Sequence, residues 1–330
     1  MTRKQRLKRK KSPVAMNTKE KLDVYQLVTD QIIARLEAGV VPWVHYLKSG
    51  PRGYQSPKNL VTKKQYRSLN VLLLGMSEFT SPWWLTFRQC NDLGGHVRKG
   101  EHGTVIIFWK RLDQSEAEHN EHEPEEREHD RPHFVLRYYR VWNSQQCDGL
   151  TVPEPEASTP IEDDITPIER AEEIARSYLA RPNAPGFTEV DYARTASYSP
   201  AFDVITMAAP RFYISAEEYA VCKFHEAVHS VFHPTRLNGK FESPNGNRSE
   251  YSRSELVAEL GASMLSALSG LLDRTIDNSA AYCSGWLKVL RSDKRAIVVA
   301  AGAAQRAVDF IYDKEEAEER SERERYPIAA

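Results

Sequence analysis

Apolar residues recur at Val24, Val28, Ile32 and Leu36, the spacing of one helical face, and Gly39 with Pro42 ends the run. Asn17-Thr18-Lys19-Glu20 precedes it and has the form of an N-cap with an acid three residues on. From 43 to 112 the pattern changes. Short apolar runs such as Leu69–Leu74 alternate with Gly, Pro and Asn breaks. Thr104–Trp109 (TVIIFW) and residues 134–142 (FVLRYYRVW) are β-branched and aromatic, which predicts two buried strands. The segment between them, 113–133, holds nine acidic residues and four histidines but no apolar core former. It reads as a solvated insertion in a hairpin, with weak metal binding by its histidines the lesser alternative.

Residues 1–16 read as a disordered basic arm and 17–150 as a first domain. The Pro-rich, acidic stretch 151–165 is a linker. A second domain follows over 166–312, with a helix at 167–181, short strands within 187–206, and helices at 215–232, 252–270 and 279–312. Residues 313–330 form a charged tail. The order predicts an α+β protein: a mixed α/β N-terminal domain, then a mainly helical one.

Composition narrows the class. The chain has 330 residues, of which 41% are hydrophobic and 28% charged, enough for two packed cores and against wholesale disorder. No apolar run is long enough to span a membrane, and the basic N-terminus lacks the apolar stretch of a secretory signal. Four scattered cysteines without a CxxC pair point to a reducing cytoplasm. The overall charge of −1 conceals a division. Residues 1–112 hold 21 Lys and Arg against 7 Asp and Glu, a net of +14, and residues 113–330 hold 24 against 39, a net of −15. A basic first half suggests a polyanionic partner, with a basic tail on an ordinary domain as the bland alternative.

Residues 225–229 read His-Glu-Ala-Val-His. On a helix opened by Ser215 and Glu218 and stopped by Pro234, His225 and His229 share a face and can reach one metal, with Glu226 beside them as general base. The alternative is a helix carrying two core or surface histidines. A third ligand is sought in Ser254-Glu255-Leu256-Val257-Ala258-Glu259, where acids on an otherwise apolar, small-residue helix need a partner. Glu255 is read as the ligand and Glu259 as the carboxylate that orients a ligating histidine. Because Ser252-x-x-Glu255 also has the form of a capping box, a helix cap is the competing role for Glu255. His233 is read as pocket wall or turn, and Tyr213 or Tyr282 as a candidate oxyanion partner. Two histidines and a carboxylate suit Zn²⁺, with Mn²⁺ and Co²⁺ left open. Such a site supports metal-assisted hydrolysis in which Glu226 takes a proton from water and returns it to a leaving amine.

The first half interleaves aromatics with bases, the requirement for holding single-stranded DNA. The candidates are Trp43, Lys63, Lys64, Tyr66, Arg67, Asn70, Trp83, Trp84, Phe87, Arg88, Arg98 and Lys99. Trp83, Trp84 and Phe87 have a core role as their alternative. No helix-turn-helix or zinc finger is evident, so reading of the major groove is not supported.

Several short motifs, in a shared order, resemble the ArdC antirestriction family of conjugative plasmids and mobile elements. In the first half they are Pro42-Trp43, Pro57-Lys58-Asn59, Tyr66-Arg67-x-x-Asn70, Trp84-Leu85-Thr86-Phe87-Arg88-Gln89, Gly94-Gly95-His96-Val97-Arg98-Lys99-Gly100-Glu101 and Val141-Trp142-Asn143-x-x-Gln146-Cys147. In the second half they are Tyr198-Ser199-Pro200-x-x-Asp203, His225–His229 with Arg236-Leu237, Glu255–Glu259, and Ala281-Tyr282 with Trp286-Leu287. The resemblance implies a single-stranded-DNA-binding domain followed by a zincin-like metallopeptidase domain, and protection of incoming plasmid DNA from host restriction. Its implied partners are single-stranded DNA and either a host restriction system or an unknown protein substrate. A related domain in plasmid primases such as TraC adds a replication role as an alternative. The sequence departs from the family pattern at Ser68, where glycine is usual, at Ser254, where an acid is common, and at Ser230-Val231-Phe232 before His233.

Overall fold

The computed structural model describes residues 23–39, 56–77, 79–111, 134–153, 166–238, 248–271 and 283–312. Expectations for the basic arm, Asn17–Glu20, Trp43, the 113–133 insertion, most of the linker, Tyr282 and the tail lie outside them.

Helix α1 (Val24–Glu37) is capped by Asp23, whose side chain accepts from the Gln26 N–H. A four-stranded sheet follows, built from β1 (Lys58–Asn59), β2 (Trp83–Leu85), β4 (Thr104–Arg111) and β5 (Phe134–Asn143) in the order β1-β2-β5-β4. Helix α2 (Leu69–Gly75) buries nearly all of its apolar run. Helix α3 (Phe87–Asp92) starts from a reciprocal capping box between Thr86 and Gln89. A small ladder joins β3 (His96–Val97) to β6 (Cys147–Asp148). The free edge of the main sheet is tied off at β4: the Asn70 amide donates to the Ile107 carbonyl and its oxygen accepts the Ile107 N–H.

The second half opens with α4 (Pro167–Leu179), which has a Thr166–Glu169 capping box and Pro at its first position. Strands β7 (Gly186–Val190), β8 (Ser197–Ser199) and β9 (Val204–Ala208) form a sheet of order β7-β9-β8. Four helices follow among the described residues: α5 (Ala216–Val231), α6 (Arg248–Ser269), α7 (Cys283–Ser292) and α8 (Ala296–Tyr312). The architecture is therefore α+β, mixed first and mainly helical afterwards.

Three expectations need correction. The helix expected over 279–312 is two helices, because Asp293 ends α7 and caps α8, its side chain accepting from Arg295 N–H and its carbonyl from Ala296 N–H. The strands of the hairpin are only partly buried: one face keeps its cover out to Leu136, and the other loses it beyond Ile106 and Val141. Val105, Ile106, Ile107 and Val141 lie in the core, but Phe108, Trp109, Tyr138 and Tyr139 are exposed. Trp83 and Trp84 are both buried, because each face of β2 has its own apolar cluster: Leu60, Cys90 and Cys147 around Trp83, and Leu74, Ile106 and Val141 around Trp84.

The two halves also share a core. Val28, Ile32 and Leu36 of α1 and Leu69 and Leu72 of α2 belong to the same buried cluster as α5, α6 and α8. Polar ties reinforce it. The buried Thr29 hydroxyl donates to the Lys294 carbonyl at 2.7 Å, and the Ser68 N–H donates to Gln305 at 2.8 Å. Asp23 pairs with Lys294, Glu37 with Arg291 and Arg67 with Asp309.

Candidate functional site

Helix α5 is specified locally at both ends. The Ser215 hydroxyl accepts from Glu218 N–H, and Glu218 reaches back to the Ile214 N–H at 2.7 Å. Two acids in the first turn and His229 in the last suit the helix dipole. Phe224, Ala227, Val228 and Val231 hold one face in the core. That packing turns the adjoining stripe, His225, Glu226 and His229, toward α6.

Helix α6 begins at Arg248, so Ser252 lies inside it and is not its N-cap residue. Glu255 and Glu259 sit one turn apart on a helix whose Leu256, Val257, Ala258 and Leu260 are fully buried. Gly261 permits the close approach. A Cβ there would stand 2.7 Å from one Val228 methyl and 3.0 Å from the other.

The approach brings three donors together. His225 Nε2 and His229 Nε2 are 3.1 Å apart. The Glu255 carboxylate lies 3.4 Å from the first and 3.5 Å from the second. Among the described residues this trio is the cluster of His, Cys, Asp and Glu donors with metal-binding spacing. A tetrahedral ion with ligands at 2.0–2.2 Å sets neighbouring donors about 3.4 Å apart, so the donor set fits zinc. On the far side of the ring, His225 Nδ1 faces a Glu259 oxygen at 3.6 Å.

Electrostatics follow from burial and pairing. Burial disfavours charge on His225, yet hydrogen bonds to Glu255 and Glu259, with Glu226 nearby, raise it to about 10. Burial works against the Glu255 anion too, but both histidines hold it well below the usual carboxylate range. Glu226 is shifted upward, chiefly by burial, while the Tyr198 backbone N–H on β8 donates to it. A carboxyl that holds its proton more tightly than usual is suited to a general base.

Below this site the side chain of Arg236 is fully buried. It donates to Asp203 Oδ2 at 3.0 Å, the Asn183 carbonyl at 2.8 Å, the Ser230 carbonyl at 2.8 Å and the Tyr198 hydroxyl at 3.2 Å. The turn before β9 is thus clamped to the C-terminal end of α5. The Arg-Leu motif marked this residue in the sequence without revealing its partners. His233 is not part of the His225–His229–Glu255 cluster and is hydrogen-bonded to Thr235 at 2.8 Å. Tyr213 packs edge-on against Tyr219, and its hydroxyl is buried.

The candidates in the first half separate by exposure. Lys63, Lys64, Arg67, Phe87, Arg88, Arg98 and Lys99 are exposed, and Tyr66 and Asn70 half-buried. Arg98 is engaged by Glu101, Asp148 and the Gln145 carbonyl, and Arg67 pairs with Asp309. The Lys63 ammonium lies 4.6 Å from the Trp83 ring centroid, and the indole N–H donates to the Pro153 carbonyl. With their rings buried, Trp83 and Trp84 offer no face for a base. Phe108, Trp109, Tyr138 and Tyr139 of β4 and β5 are exposed although their sequence reads as plain core strand.

Comparison with known proteins finds two family models on separate stretches of the chain. Residues 22–142 match the N-terminal domain of the anti-restriction factor ArdC, and residues 183–303 match a zincin-like metallopeptidase. The uncharacterised protein y4eC of Sinorhizobium fredii is 32% identical over 308 residues, covering 91% of this chain and 95% of its own. The DNA primase TraC of Escherichia coli is 30% identical over 296 residues, 87% of this chain but 27% of the primase. Crystal structures of the antirestriction protein ArdC from plasmid R388, one Mn(II)-bound and one metal-free, superpose with a TM-score of 0.65 at 32% identity and cover 88% of this chain. Nearly the whole length of y4eC and of the plasmid protein is accounted for, so this chain belongs to the ArdC family of antirestriction proteins, an ArdC N-terminal domain joined to a zincin-like metallopeptidase domain.

Proposed function

We propose that this protein binds single-stranded DNA and protects incoming plasmid or mobile-element DNA from host restriction, and that its second domain is a metal-dependent hydrolase site. The observation that carries the second part is the convergence of His225, His229 and Glu255 from two helices onto one point. These three residues would hold the ion, zinc by donor chemistry, while a relative is described with Mn(II). A divalent ion there supplies Lewis acidity and makes water acidic enough to lose a proton near neutral pH. Glu226 takes that proton and delivers it to the leaving amine of a peptide. Glu259 fixes the His225 ring so that Nε2 faces the ion. The first part rests on the family and on the net +14 of residues 1–112.

Two experiments test it. Purified protein should carry about one metal ion by elemental analysis, lost in His225→Ala; a wild type that binds none sinks the hydrolase site. Glu226→Ala should abolish protection of unmodified DNA during transfer while leaving DNA binding intact. A variant that protects as well as wild type would remove peptide hydrolysis from the function. The similarity to the primase TraC favours, as a second reading, a single-strand-binding role in replication. Wild-type protein that aids priming yet gives no protection would support that role.

A further inference from the structure

One face of the main sheet is covered in two places, with a gap between them. At one end Cys90 of α3 packs with Trp83 and Leu85 of β2. At the other, Val105, Ile107 and Leu136 join the core shared with α1 and α2. Leu85 pairs with Trp142 of β5, and alternate residues of a strand share a face, so Trp142, Arg140 and Tyr138 stand on this side, about 6.8 Å from one to the next. The cover over Val105, Ile107 and Leu136 leaves Arg140 and Tyr138 beside it exposed, Tyr138 by 38%. Phe87, at the start of α3, is 51% exposed and meets Trp142 edge-on at 5.8 Å. Two cations flank these rings, and neither enters an ion pair among the described residues. The Lys63 ammonium rests on the Trp83 ring, and Arg140 donates to the neutral Gly103 carbonyl at 3.0 Å. Arg88, the residue after Phe87, is already paired with Asp92.

We infer that this gap is the surface on which a single strand of DNA is held. Bases stack on Phe87 and Tyr138, and Lys63 and Arg140 meet the backbone phosphates. The inference rests on the single-strand reading of the first domain and gives it a location. Lys63 and Phe87 are far in sequence from Tyr138 and Arg140, and pairing of β2 with β5 brings them to one face. The order across that face is cation, ring, cation, ring. It matches a ligand that is anionic along one edge and presents flat apolar faces along the other. A duplex keeps those faces stacked inside, so the surface discriminates against it. On the opposite face Phe108 and Tyr139 are also exposed, but their rings lie 4.8 Å apart and within 30° of parallel, so each covers the other.

The test is fluorescence anisotropy of the full chain with a labelled oligothymidine, alone and paired with oligodeoxyadenosine, over a range of salt. Loss of both rings in Phe87→Ala/Tyr138→Ala should weaken single-strand binding about 30-fold or more. Arg140→Gln and Lys63→Gln should each lower the salt slope by about 0.7, one phosphate contact. Tyr139→Leu, on the opposite face, should bind as wild type. Melting curves report folding. If the double alanine variant unfolds, Tyr138→Leu takes its place. It keeps apolar bulk without a flat ring and should bind at least about fivefold more weakly. A wild type that binds while the ring variants stay within about twofold of it overturns this location. Loss of binding in Tyr139→Leu does so too, as does a duplex bound as tightly as the single strand. A wild type that binds neither strand form defeats the single-strand reading itself, and this location with it.

Discussion

Asp203→Asn tests the clamp beneath the candidate active site. In the folded protein both Asp203 oxygens accept from the buried Arg236 guanidinium, and Oδ1 also accepts the Tyr198 hydroxyl at 2.8 Å. The amide retains size and shape but leaves a buried cation without its counter-ion. Such breaks cost about 3–5 kcal/mol. The low end applies here, because the Asp203 side chain is 26% exposed and Arg236 keeps the Asn183 and Ser230 carbonyls. A loss near 3 kcal/mol corresponds to a melting point lower by about 6–12 °C for a cooperative unit of this size. The assay is thermal and urea unfolding in EDTA, so that metal binding does not contribute. Burial alone would raise the Asp203 pKa, yet bonding to Arg236 and Tyr198 brings it below the usual carboxylate range. Its contribution is therefore present in full above the unfolded pKa, about 3.9, and is lost as pH falls through the lower folded value. The gap between wild type and variant should be wide at pH 7 and shrink below about pH 4. A difference under about 1 kcal/mol at pH 7, or one that does not narrow in acid, would refute the clamp.

Further outcomes follow from other local features. Ser68 sits at φ 55° and ψ −137°, a conformation that favours glycine. Ser68→Gly should stabilise the fold by about 0.5–2 kcal/mol in urea titrations, since relief of strain outweighs glycine's added chain entropy. Gly261→Ala drives a methyl into Val228 and should separate α5 from α6, lowering zinc affinity and stability together despite alanine's better helix propensity. Glu259→Gln should weaken zinc binding about 10–100-fold in competition with a chelator, while Glu255→Gln should weaken it more. Saturating zinc at 100 times its Kd should add about 2.7 kcal/mol to unfolding stability in wild type and almost nothing in His225→Ala.

Chemistry that depends on local periodicity was open to the sequence alone. The His-x-x-x-His spacing, the Ser215 cap and Pro234 define a helix with both imidazoles on one side, because 3.6 residues per turn fix that relation without any tertiary contact. The same logic marked Glu255 and Glu259 as acids on an apolar face that would need partners. The strands and capped helices of the second half were legible for the same reason, as was the division of charge along the chain.

What depends on which surfaces meet was settled only by the tertiary structure. Glu255 read as ligand or cap; the start of α6 at Arg248 places Ser252 inside the helix, and packing on α5 across Gly261 sets the carboxylate beside both histidines. Adjacent tryptophans in a strand point to opposite faces, so the sequence allowed one to be exposed; separate clusters on the two faces of β2 bury both. Phe108 and Tyr139 read as core by composition, yet the elements that cover Ile106 and Val141 end before reaching them. The pattern of side chains decides which residues prefer burial. How far each neighbouring element extends decides which of them are buried, and that length is a property of the assembled fold.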